Sequence, residues 1–392
     1  MRRPLTGVLV ADFSRVLAGP LATMYLADLG ATVVKVERPG RGDDTRAWGP
    51  PWTTHASSYF EALNRGKLSV AWDLSDPADL AKARELARRA DVLVENFMTG
   101  TMDRFGLGYA DVRAVNPGIV YASVTGFGSG AGASLPGYDF VAQAVGGLMS
   151  ITGARDGEPQ KVGVALVDVL TGKDATIGIL AGLQKRAATG VGERIEVNLV
   201  SSLLGSLVNQ ASAYLATGVA PRAMGNAHPS IAPYEPLQCA DTALAVACGN
   251  DGQFARLTGA LGIPELATDP RYATNADRVA NRADLVAALE ERLRTDTAAH
   301  WEALILAAGV AAGPVNDLGA AFARARELGL APTFPVGDDH PEQVRNPILF
   351  SGAALDGATA PPDVGEHTAL VEDWLAGTDP TAPLHQPTRS LA

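Results

Sequence analysis

Gly7-Val8-Leu9-Val10-Ala11-Asp12-Phe13, then Ser14-Arg15-Val16-Leu17-Ala18-Gly19-Pro20, then Leu21 to Leu29, Gly30 and Ala31-Thr32-Val33-Val34-Lys35-Val36-Glu37: this opening stretch decides the fold. The first run is short and apolar, as a strand buried on both faces is. Pro20 stands where a first helical turn tolerates its missing N–H, and the helix formers that follow stop at Gly30. Ala31 to Glu37 reads as a second strand. Asp76-Pro77 then opens a charged amphipathic helix to about Ala90, and Val92-Leu93-Val94-Glu95 and Ile119 to Val124 are further strand-like runs. Short apolar strands alternating with helices predict an α/β fold with a mostly parallel, doubly covered sheet. Ligands of such sheets bind beyond the carboxyl ends of the strands.

The rest of the chain has a different texture. From about Gly225, prolines 229, 233 and 236 punctuate a loop, followed by a strand from Leu244 to Cys248, the turn Gly249-Asn250-Asp251-Gly252, and two or three helices to about Leu330. This predicts a second, smaller α+β domain over 223–331. A Pro-rich, irregular segment follows, with a helix from Thr368 to Trp374 and a tail.

Composition narrows the function. The 392 residues are 47% hydrophobic and 19% charged, enough for a sizeable core. A formal charge of −11 argues against nucleic-acid or anionic-membrane partners. Cys239 and Cys248 are too few for a disulfide framework and read as small buried apolar residues. No signal-peptide run or apolar stretch of about 20 residues occurs, so a cytoplasmic location is expected. The histidines (55, 228, 300, 340, 367 and 385) are not spaced as metal ligands, and no metal is expected. After Ile119 to Val124, Gly126-Phe127-Gly128-Ser129-Gly130-Ala131-Gly132 lacks the G-x-G-x-x-G spacing, as does Ser14 to Pro20, so no NAD or flavin is expected.

Basic residues after strands point to an anionic ligand in the crevice. Arg15 and Arg38 follow the first two strands, and Arg104 follows Asn96-Phe97; arginine's planar fork suits phosphate, although each residue singly is equally a solubilising surface charge. Phe97 or Trp72 offers a ring to stack on a purine. Asp168 ends the apolar run Gly163 to Val167, where a strand-like segment gives way to a small-residue helix. It is a helix N-cap or a nucleophile, and spacing alone favours the cap.

The pieces in order resemble the class III CoA-transferases, the family that also contains the α-methylacyl-CoA racemases. The resemblance rests on Ala18-Gly19-Pro20, Lys35-Val36-Glu37-Arg38, Gly42-Asp43, Val94-Glu95-Asn96-Phe97, Asp103-Arg104, Gly137-Tyr138-Asp139 with Gln143, Thr189 to Gly192, Gly225-Asn226, Gly249 to Phe254, Gly313-Pro314-Val315-Asn316 and Gly365-Glu366-His367-Thr368. It implies that Asp168 is the nucleophile and that Val16, Leu17, Ala18, Arg38, Trp72, Asn96, Phe97 and Arg104 bind coenzyme A. Tyr138 would stand beside the active site, and Gly249 and Gly252 would supply oxyanion donors. It also implies transfer of CoA from an acyl-CoA to a small carboxylic acid and an interlocked homodimer. A Rossmann-like large domain would span 1–222 plus 332–392. Two lysines that contact CoA in a relative are matched here by Ser75 and Gly137, and Asn250 and Asp251 interrupt its all-glycine loop. Racemisation would pair the aspartate with a histidine, and that position is Tyr138; racemase and non-catalytic CoA-binding module are the alternatives.

Overall fold

The computed structural model describes residues 3–352, 355, 358–377 and 384. His385 and most of the expected tail lie outside them. The described chain forms two compact units, residues 1–148, 162–219 and 331–392, and residues 149–161 and 220–330.

The first unit holds a six-stranded sheet in the order β3-β2-β1-β4-β5-β6. The strands are β1 (Leu9–Asp12), β2 (Thr32–Glu37), β3 (Lys67–Ala71), β4 (Val92–Glu95), β5 (Val120–Thr125) and β6 (Glu193–Asn198). Every pairing is parallel. The order reverses between β1 and β4, which opens a crevice at their carboxyl ends.

Alternation along each strand builds two cores. Ala11, Val34, Val36, Leu93 and Tyr121 pack on one face with Ala83 and Leu86 of the helix Pro77–Arg89 and Val371 of the helix Thr368–Ala376. Val10, Val33, Val92, Val94 and Val120 pack on the other with Leu26 of the first helix, Ala18–Asp28, and Ile179 of the long helix Leu166–Thr189. The helix after Asp76 starts as expected, with the Asp76 carboxylate accepting from the N–H groups of Ala78 and Asp79.

Two strands escape the sequence pattern. β3 carries Lys67 and Ser69 into the interior, and β6 reads Glu193-Arg194-Ile195-Glu196-Val197-Asn198 at a sheet edge. Neither is an apolar run. The segment before Asp168 is a correction in the other direction: no strand forms there, and Asp168 lies in the first turn of the long helix. The small residues of this helix serve its packing. A Cβ at Gly172 would strike the Ala18 carbonyl and Leu21, so glycine lets the long helix approach the first helix closely.

The second unit contains an antiparallel sheet of β7 (Tyr234–Gln238), β8 (Ala243–Ala247) and β9 (Ala311–Pro314), in that order. Five α-helices accompany it over Asp251–Glu327, more than the sequence suggests. Cys239 and Cys248 are buried in its core with Phe254, Leu257 and Trp301.

Candidate active site

The crevice forms where the sheet order reverses. The loop after β1 is fastened at three points. Asp12 accepts from the N–H and hydroxyl of Ser14, at 2.9 and 2.5 Å. Asn96, just after β4, accepts the Arg15 N–H at 2.8 Å and returns a donor to the Arg15 carbonyl at 2.6 Å. The Val16 N–H reaches both oxygens of Asp43 at 3.3 Å. These contacts hold Val16 at φ 69°, a conformation costly for a β-branched residue. The loop is thus preset.

A cleft of about 240 Å³ opens beside this loop. Val16, Leu17, Ala18, Asn96, Phe97, Tyr138 and Asp168 line it together, with Arg15 and Asp44. Phe97, Arg38 and Trp72 line a second hollow of about 160 Å³, which shares Arg15 with the first. Trp72 is buried in the core beneath that hollow, and its indole N–H donates to Glu372 at 3.1 Å. Phe97 is half-buried, with the Arg15 guanidinium 4.8 Å from its ring centre. Tyr138 is exposed. Arg104 is exposed, donates to the Thr101 hydroxyl at 3.3 Å and lines neither hollow.

Asp168 is not the N-cap; Ala165 occupies that position and its side chain caps nothing. Asp139 does the capping from a distance. One of its carboxylate oxygens accepts the N–H groups of Val167 and Asp168, at 2.8 and 3.2 Å. Its other oxygen accepts from the Gln143 amide at 2.7 Å, and Gln143 in turn accepts the Val162 N–H at 2.9 Å. The sequence signal was the i, i+4 spacing of Asp139 and Gln143 on one helical face. Asp168 is 9% exposed and has no ion-pair partner among the described residues. Burial, then the Asp139 charge, pushes its carboxyl up to about 7. Tyr59, which the sequence did not single out, packs like Val16 and Val169 against the cluster of Leu17, Leu21, Met24 and Leu63. Burial and then the charge of Asp168, followed by Asp139, push its phenol up to about 12, so it stays a proton donor at neutral pH.

Two glycines explain one departure. A Cβ on Gly137 or Gly126 would overlap the backbone of the other, so position 137 has no room for the lysine found there in a relative. In the second unit, Gly249 and Gly252 flank Asn250, which caps the helix Asp251–Ala260 by accepting the Gln253 N–H at 2.9 Å. The Gly249 N–H is held by the Gln253 side chain at 2.6 Å. Asp251 pairs with Arg278 at 2.7 Å.

The sequence pattern of CoA-transferase family III matches residues 5–368. The chain belongs to this family, and it is an enzyme of the class III CoA-transferases. The succinate–glutarate CoA-transferase of Agrobacterium fabrum is 42% identical, over 97% of both chains. The acetyl-CoA:oxalate CoA-transferase of Acetobacter aceti is 44% identical over 80% of this chain and 81% of its own. The crystal structure of a CAIB/BAIF family protein from Brucella suis superimposes with a TM-score of 0.86 at 44% identity, covering 96% of this chain and all of that one. Among the described residues, no helix is long and apolar enough to cross a membrane.

Proposed function

We propose that this enzyme moves CoA from a dicarboxylyl-CoA such as succinyl-CoA to a second small carboxylic acid, with Asp168 as the nucleophile. The observation that carries this reading is a buried carboxylate without a counter-ion, facing the same cleft as the fastened loop after β1. A carboxylate stripped of water and raised in pKa is more nucleophilic than an exposed one. The family relatives that act on succinate, glutarate and oxalate support the acid class.

The ionised Asp168 attacks the thioester carbonyl, forming a mixed anhydride and expelling CoA thiolate. The thiolate then attacks the aspartyl carbonyl, which leaves an aspartyl-CoA thioester and releases the donor acid. The acceptor carboxylate attacks that thioester, the thiolate leaves and returns to the acceptor's carbonyl, and Asp168 is regenerated. Each addition develops an oxyanion, and one well-placed donor is worth about 3–4 kcal/mol. The protonated Tyr59 phenol, on which the Asp168 charge acts, is proposed as one such donor. Gly252 is the other proposed donor: in a first helical turn it keeps an N–H the helix does not use, whereas the Gly249 N–H expected to share this role already donates to the Gln253 side chain.

CoA would lie across both hollows, its thioester toward Asp168 and Tyr138 and its purine toward Arg38, Phe97 and Trp72, with Arg104 further out. An interlocked homodimer is part of the proposal. Exposed Ile177, Leu204, Val208, Leu215 and Val219 support a covering partner, because isolated subunits seldom expose so many large apolar side chains. The test is a panel of acyl-CoA donors against carboxylic acids, read by mass spectrometry. Transfer to one or more dicarboxylates is expected; exchange of an α-proton in heavy water with no acid-dependent transfer would contradict it.

A further inference from the structure

The hollows share one residue that no step above uses. Arg15 lines both, and its Nε is buried with no hydrogen-bond partner among the described residues. One Nη reaches Asp44 at 3.5 Å. Arg38 and Arg41 reach the same carboxylate, at 2.7 and 3.2 Å. Three guanidinium groups thus converge on this one carboxylate.

The neighbouring aspartate makes the contrast plain. Asp43 is buried and fully used, by Lys35 at 2.9 Å, by Thr45 and by the loop after β1. Asp44 is partly exposed and, among the described residues, pairs with these three arginines, and exposed ion pairs of this kind contribute little. A phosphate offers more acceptor oxygens and more charge to the same forks.

We propose that Arg15 and Arg41 join Arg38 in a phosphate-binding set for CoA, and that Asp44 fills this set as an internal counter-ion which the incoming phosphate displaces. The inference rests on the CoA-binding reading above. Competition by Asp44 weakens CoA binding and keeps the arginines aligned while the site is empty.

Calorimetric titration of the full-length protein with CoA and dephospho-CoA tests it. Arg15→Gln is expected to weaken CoA binding by about ten-fold or more, and Asp44→Asn to tighten it several-fold, with the KM of the acceptor acid unchanged in both. An Arg15→Gln effect lost with dephospho-CoA assigns the 3′-phosphate, and one retained assigns the diphosphate; either supports the set. CoA binding unchanged in Arg15→Gln, or weakened in Asp44→Asn, overturns it, as does a raised acid KM with CoA binding intact. Should Arg15→Gln melt early, Asp44→Asn alone carries the decision. Failure of the unsubstituted enzyme to bind CoA would overturn the function itself, a result distinct from these.

Discussion

Two buried carboxylates sit near the first helix, and their surroundings are opposite. Asp12, at the end of β1, is fully buried and surrounded by donors: Ser14, Thr23 at 2.6 Å and Lys67 at 3.1 Å. Burial would raise its pKa, but Lys67, then Lys35 and the hydroxyl hydrogen bonds, hold it below the usual value. Asp168, at the start of the long helix, is nearly as buried and has another carboxylate as its nearest charge. A buried charge whose cost is offset by its neighbours is structural. One left without that compensation is destabilising, and a destabilised carboxylate on a cleft wall is available for chemistry.

The comparison breaks if the two residues respond alike to substitution. Asp12→Ala leaves Lys67 and Lys35 buried with a counter-charge missing and should cost about 3–5 kcal/mol of stability, read as a large fall in the urea midpoint. Asp168→Asn should act in the opposite sense. The unfolded chain binds this proton with a pKa of about 3.9, the folded protein with one of about 7. The folded state therefore holds the proton more tightly, so this group's contribution is fully present below about pH 4 and is lost as the pH rises through about 7. Asp168→Asn removes that loss, on the order of a few kcal/mol. Its melting temperature should exceed that of the unsubstituted enzyme at about pH 8 and converge with it near pH 4. Equal destabilisation of both variants at high pH would remove the distinction.

A smaller effect sharpens it. Asp139→Asn keeps an acceptor for the Val167 and Asp168 N–H groups but removes the like charge that raises the Asp168 pKa. Asp168 should then ionise at lower pH, and the acid limb of kcat/KM should move to lower pH with the melting temperature little changed. An unmoved limb would mean that burial alone sets this pKa.

Much of the frame was legible because its strands obey the apolar pattern: Leu9 to Asp12, Thr32 to Glu37, Val92 to Glu95 and Val120 to Thr125 fall where the sequence puts them. β3 was not, because Lys67 and Ser69 point inward to partners far along the chain, Asp12 and Glu37. β6 was not, because an edge strand alternates charge with apolar residues. The candidate site divides the same way. Val16, Leu17, Asn96, Phe97, Tyr138 and Asp168 were nameable from resemblance and share one cleft. The roles of Asp139 and Tyr59 depend on through-space charge and on a cap reached across 28 residues, which local sequence does not record.

The central claim is that Asp168 becomes covalently attached to CoA. Mixing the enzyme with succinyl-CoA alone, quenching in acid and mapping peptides by mass spectrometry tests it most directly. A CoA thioester on the peptide containing Asp168, absent from Asp168→Asn and released by hydroxylamine or an acceptor acid, is the result expected. Steady CoA transfer with no adduct on that peptide, or an adduct that persists in Asp168→Asn, would contradict the account.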